Sequence, residues 1–178
     1  MMSSVRRIVR APLTWVLIVV VAAALGVGAA LFQPWRLFTD TVVNEAAPTV
    51  AAAPGDGPRR EPRTLSRGEF VSHEHDTTGS AVVLELPDGT RVLRLENLDT
   101  SNGPDLRVWL TDAPVLDGRS GWFVFDDGAR VDLGALEGNK GSQNYAIPSD
   151  ADLSALTSVT VWCQRFHVSF GAARLILS

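Results

Sequence analysis

The chain has 178 residues, 46% of them hydrophobic and 20% charged, with 16 Lys and Arg against 20 Asp and Glu for a net charge of −4. That length permits one ordinary domain with appendages, and such a domain buries roughly two thirds of its unfolded surface without disulfides. Mixed charge with no long basic run in the C-terminal part disfavours a nucleic-acid partner, and the single cysteine, Cys163, excludes an intramolecular disulfide, a Cys–Cys zinc pattern and a multi-cysteine iron–sulfur site.

After Arg6, Arg7 and Arg10 no charged residue occurs until Arg36. The stretch between them, centred on Leu17 to Leu25, exceeds the roughly 20 apolar residues that span a bilayer. A secretory apolar core is shorter, about 7–15 residues. The small residues Gly28, Ala29 and Ala30 would still suit a peptidase, but the run from Leu13 to Phe32 favours an uncleaved transmembrane anchor over residues 11–35. Trp15 and Trp35 bracket it as interfacial aromatics do. Three arginines before it, with Asp40 and Glu45 after it, predict residues 1–10 in the cytoplasm and the remainder outside the cell membrane. Gly26 and Gly28 have the spacing G-x-G, so no helix-dimer motif follows from them.

Residues 36–66 read as an extracytoplasmic linker. From Asn44 to Ser66 the composition shifts to Ala, Pro, Gly and charge. Such a segment buries little apolar surface to offset backbone ordering, roughly 1–2 kcal/mol per residue, and is expected to be a mobile tether holding the domain off the membrane. Arg59, Arg60 and Arg63 read as solvated charge, being fewer than the clusters of about four to eight that signal lipid binding.

Residues 67–178 form the predicted domain. Gly68 to His75 is a candidate first strand. Ser80 to Leu86 and Arg91 to Glu96 flank Pro87-Asp-Gly-Thr90, a hairpin signal because glycine accepts the positive φ of the turn. Leu106, Val108 and Leu110 alternate on a further strand after the turn cluster Thr100 to Pro104. Short strands at intervals of about 8–12 residues predict an all-β fold, an antiparallel sandwich or barrel. Gly134 to Gly141 reads as loop, and Ser149 as the cap of a short helical turn through Leu156.

The stretch Ser158 to Phe170 holds Cys163. Val159, Val161 and Cys163 alternate with Thr160, Trp162 and Gln164, which predicts a half-buried strand with Cys163 facing inward. Phe166, Val168 and Phe170 alternate out of phase with that strand, so a bulge, bend or turn at Gln164-Arg165 must reset the register.

Seven successive segments carry a resemblance: His75 to Ala81, Leu93 to Asn97, Thr100 to Leu106, Leu133 to Gly138, Gly141 to Tyr145, Ile147-Pro148, and Val159 to Cys163 with Phe166 to Ala172. In this order they resemble the electron-transfer DM-thirteen domain family, the module that accompanies DOMON cytochrome-like domains in animal cell-surface proteins. The resemblance spans about Gly68 to Leu177. It implies an all-β fold and a redox role centred on the family's cysteine, here Cys163, used as a bare thiol or as a ligand to a group such as haem. The family's recurrent histidine falls on His75 and its aromatic before the cysteine on Trp162. At His167 the family more often has a small residue, which argues against an essential role there.

A redox thiol must be thiolate part of the time, and apolar burial opposes this unless a cation such as the Arg165 guanidinium lies close. Cys163, His167, His73 and His75 are the ligand types of a blue-copper site, with the two strand histidines expected to share a face. Both methionines, Met1 and Met2, precede the apolar segment, so no axial methionine exists, and no metal site is assigned. Candidate haem ligands are Cys163, His75 and Tyr145. Without Cys-x-x-Cys-His any haem would be non-covalent, and the cofactor is unknown. Asp126, Asp127, Asp150 and Asp152 read as loop or cap carboxylates, Asp105 as a partner of turn amides, and Trp109 with Trp122 as an outward apolar patch. No hydrolase, metalloprotease or phosphate-loop motif is present. The function expected is a membrane-tethered electron-transfer or thiol-redox domain with a redox or cell-surface protein partner. The alternative is a non-catalytic binding or adhesion module in which Cys163 is core and the loops Asn102 to Asp105 and Gly138 to Tyr145 meet a partner.

Overall fold

The computed structural model describes residues 12–49 and 61–178. Arg6, Arg7, Arg10, Arg59 and Arg60, on which parts of the orientation and linker readings rest, lie outside them. Pro12–Phe32 forms one α-helix, α1, apolar on every side, with mean hydropathy 2.6 and no residue buried by the rest of the chain. It is long and apolar enough to cross a membrane. The helix stops at Gln33, which takes a left-handed conformation (φ 44°) while its N–H still reaches Ala29 O. A 3-10 turn, Pro34–Phe38, follows.

Segment Val42–Asn44 then forms a strand, β1. The expected tether from Asn44 to Ser66 is therefore ordered at both ends, because β2 begins at Arg63 and runs to Ser72. The remaining strands are β3 (Thr78–Glu85), β4 (Arg91–Asp99), β5 (Leu106–Thr111), β6 (Arg130–Ala135), β7 (Lys140–Ile147), β8 (Ser158–Cys163), β9 (Val168–Arg174) and β10 (Ile176–Leu177). They pair in the order β1-β7-β4-β3-β2-β9-β8-β5-β6, with β10 continuing the β9 edge of β2. Every pairing is antiparallel except β1 on β7, so the fold is all-β and mixed rather than strictly antiparallel. The sheet curls into an open barrel in which β6 approaches β7.

Local chemistry explains several elements. The predicted β3–β4 hairpin turns at Gly89 (φ 84°), and Asp88 Oδ1 accepts from Thr90 N at 2.9 Å. Gly134, expected in a loop, lies instead within β6 with φ 124°, across from a register shift at Val108/Trp109. Residues after Ser149 form turns rather than a helix. Asp152 caps them through Ser154 N at 2.9 Å, and the Arg91 guanidinium gathers the carbonyls of Pro148, Ser149 and Ala151.

Two apolar clusters sandwich the β5–β8–β9 wall. The inner one fills the barrel with Leu93, Leu95, Val108, Leu110, Val159, Val161 and Cys163. The outer one holds Trp109, Ala113, Phe125, Trp162 and Ala172. The alternation in β8 is as expected, but the strand is buried on both faces, because the segment between β5 and β6 folds over its outer side. Trp109 accordingly lies beneath that cover, under the Arg130 guanidinium at 4.8 Å, and Trp122 packs against the inner cluster, so they form no outward patch.

Candidate redox site at one end of the barrel

Cys163 closes β8, with Leu106 and Val168 as its cross-strand neighbours. Its register is reset twice. Residues 164–167 turn, with His167 at φ 51°, and a bulge between Val161 and Trp162 leaves Phe170 as the extra residue of β9. Gln164 N–H donates to Asp105 O at 2.9 Å, stitching this turn to the loop before β5.

The thiol is free and fully buried. Burial pushes its pKa above the ordinary thiol value, and Glu74 and Asp105 push the same way. The backbone N–H groups of Phe166 and Arg165 act against this without overcoming it. The help expected from the Arg165 guanidinium comes instead from that residue's amide. At neutral pH Cys163 is a protonated thiol inside the core.

His75 sits beyond the end of β2, on a bend. Its ring centroid is 4.0 Å from that of Phe170, and Nε2 lies 3.6 Å from Glu74 Oε2. Both rings line a cleft of about 310 Å³ whose walls also include Phe32, Arg36, Gly103 and Phe166. A Cβ at Gly103 would stand 3.0 Å from Phe170 Cζ and 3.1 Å from Leu106 Cδ2, so a side chain there would press on both neighbours. Cys163 shares the inner cluster with Phe170 and Leu106 but does not line the cleft.

Tyr145 is elsewhere in function. Its buried hydroxyl donates to Gln143 Oε1 at 2.7 Å and accepts from Glu137 N–H at 3.2 Å, and burial raises its pKa. Gln143 Nε2 in turn donates to Gly138 O at 2.7 Å, so this pair fastens the β6–β7 turn. Of the three candidate haem ligands only His75 borders an opening, while Cys163 and Tyr145 are enclosed by their own packing and bonds. In this conformation the residues present do not fit a haem.

The other histidines also part company. His73 is buried, with Nδ1 2.7 Å from Ser169 Oγ and Nε2 3.1 Å from Leu116 O. A carbonyl only accepts, so the neutral ring donates from Nε2 and receives the Ser169 proton at Nδ1. Desolvation lowers its pKa. His73 and His75 do not share a strand face, because β2 ends at Ser72. His167 is exposed and pairs with Asp126 Oδ2 at 3.0 Å. Among the described residues no group of three His, Cys, Asp or Glu is placed to hold a metal ion. Asp105, expected to serve turn amides, directs Oδ1 to Arg107 Nε at 3.3 Å.

Sequence reasoning missed Phe32, Arg36 and Phe166 as walls of one cleft, since nothing local signals that the end of α1 meets the β8–β9 turn. It also missed that β1 covers the start of β7: Val43 O and Thr41 O lie against Gly141 and Gly138. The proposed partner loop from Gly138 to Tyr145 is thus occupied in part by the chain itself.

Among known families, the model described as Electron transfer DM13 matches residues 69–175. No curated protein and no solved structure matches the chain.

Proposed function

Because the chain belongs to the electron transfer DM13 family, whose members have an electron-transfer-related role in general, we propose that it is a single-pass membrane protein whose extracytoplasmic domain, residues 67–178, transfers electrons at the Cys163 end of the barrel. Residues 1–10 face the cytoplasm in this reading, and the partner is a redox or cell-surface protein. One observation carries it: the Cys163 sulfur accepts from the backbone N–H of Phe166, a residue that lines the cleft together with His75 and Phe170. At rest the thiol is protonated and enclosed, so reaction requires the turn 164–167 to open. That turn is a sensible gate, since His167 holds a left-handed φ of 51° and its imidazole is exposed.

Thiol labelling of the full chain in detergent or vesicles tests the gate. Opening of the turn gives Cys163 labelling faster than global unfolding, with a rate that falls when His167→Gly removes the left-handed strain of the closed turn. Labelling only at the global unfolding rate, together with full cellular function of Cys163→Ser, overturns the redox assignment. That result selects the second reading, a non-catalytic binding or adhesion module with a core cysteine, which complete burial of the thiol favours.

A further inference from the structure

Phe32, the last residue of α1, stacks its ring on that of Phe166 in the β8–β9 turn, with centroids 5.7 Å apart and planes 13° from parallel. A helix of 21 residues is about 31 Å long, close to the roughly 30 Å hydrocarbon thickness of a bilayer. A spanning α1 therefore brings Phe32 to the boundary between acyl chains and headgroups, and Phe166 to the same depth.

The chain after Phe32 leaves no slack to lift the domain away. Arg36 Nη1 donates to Gly103 O at 3.1 Å, and Asn102 Nδ2 to Thr39 O at 3.3 Å. Asn139 receives Thr41 N–H at 2.7 Å and donates to Asp40 Oδ1 at 2.8 Å, while Lys140 Nζ lies 3.1 Å from Asp40 Oδ2. Pairing of β1 with β7 continues the strap. The next described strand, β2, is itself part of the barrel, so the chain is already fastened to the barrel between Arg36 and Asn44. Around the same helix end Trp35 is 52% exposed, Phe38 88% and Phe166 45%. Three large aromatics exposed together are costly in water and favourable in the headgroup layer.

We propose that the barrel end carrying Trp35, Phe38 and Phe166 is docked in the phospholipid headgroup layer, so that the cleft beside His75 opens onto the membrane surface. The proposal rests on the reading that α1 spans the bilayer. The opposite end of the barrel, with the Asp88 turn, then faces water.

The test uses the full chain with Cys163→Ser and a new cysteine at one of three exposed positions, Phe166→Cys, Phe38→Cys or Asp88→Cys. Each is labelled with a polarity-sensitive fluorophore and reconstituted into vesicles of phosphatidylcholine and phosphatidylglycerol containing a lipid spin-labelled near the headgroup. Docking predicts loss of emission at 166 and 38 and none at 88. Emission at 166 as intact as at 88 overturns it. A second variant, Phe166→Trp with Cys163 in place, must add to the quenchable tryptophan emission, and no added share also overturns docking. Vesicle flotation after an alkaline wash separates the two claims. A chain that washes off fails the spanning reading, whereas a chain that floats with an unquenched 166 fails docking alone.

Discussion

His73 ties one side chain to a solution property of the whole domain. Its neutral ring is the middle of a directed chain of bonds, with Thr160 Oγ1 2.8 Å from Ser169 Oγ, Ser169 at Nδ1 and Leu116 O at Nε2, and the ring lies 5.7 Å from Phe125. A second proton would turn Nδ1 from acceptor to donor in a desolvated place, which is why the folded pKa lies below the ordinary 6.5. Below that pH the unfolded chain binds a proton the folded one refuses, so stability present above about pH 6.5 is lost as pH falls toward the folded value. Denaturant midpoints measured across the acid range should show this slope, and His73→Gln should flatten it. That substitution should also cost on the order of 1–3 kcal/mol through the disturbed buried bonds. Cys163 acts in the opposite sense. Its raised pKa keeps the folded thiol protonated where the unfolded one ionises, so its contribution is whole below the ordinary thiol pKa and is lost as pH rises through the folded value. Comparing native protein with Cys163→Ala at alkaline pH should reveal a shallower decline in the variant, and an identical decline would mean that the thiol ionises equally well in the core.

At the scale of elements, closure between β2 and β9 depends on a glycine. β2 pairs with β3 on one side and with β9 and β10 on the other, and a Cβ at Gly68 would stand 2.1 Å from the carbonyl oxygen of Arg174. Backbone cannot rotate away as a side chain can, so Gly68→Ala should destabilise the domain by about 1–3 kcal/mol, read as a lower urea midpoint at unchanged slope. Gly89→Ala, with open space around its Cβ, should cost only what its φ of 84° demands. Such contrasts mark what a sequence can disclose. The β3–β4 hairpin was legible because Pro87-Asp-Gly carries its own turn chemistry, and the inward thiol because alternation in β8 is local. The burial of Trp162 was not legible, since the cover over it, the segment holding Phe125, has no periodicity. Nor was β1: three residues, Val42–Asn44, paired with partners at 140–142, acquire a strand only from the edge they meet. At the site the cysteine and His75 could be singled out, but that His75 borders the cleft while Cys163 is enclosed in the core is a fact of packing.

For the molecule as a whole, the strap from Thr39 to Ala46 belongs energetically to the barrel although it precedes the segment 50–60. Without it the β7 edge is bare from Lys140 to Ser142, and a bare edge invites pairing with another chain. Arg94, 9% exposed, would lose the carbonyls of Glu45 and Ala46 and keep only Glu96 and Asn144. Asn144 would lose the Glu45 carboxylate that accepts from its backbone N–H at 2.6 Å, and Asn139 would lose both Asp40 and Thr41. Several bonds at about 1 kcal/mol each, offset by the freedom the released strap regains, put the deficit at roughly 2–3 kcal/mol, or a melting temperature lower by about 8–20 °C for a domain of this size. A chain begun at Arg63 should therefore melt below one begun at Thr39 and should self-associate through β7. Adding a peptide of sequence Thr39 to Pro48 in excess should raise its melting temperature by mass action and suppress the association. Equal melting of the two chains would mean that β1 follows the barrel edge without supporting it, and the strap would then be too weak to hold the domain against a membrane.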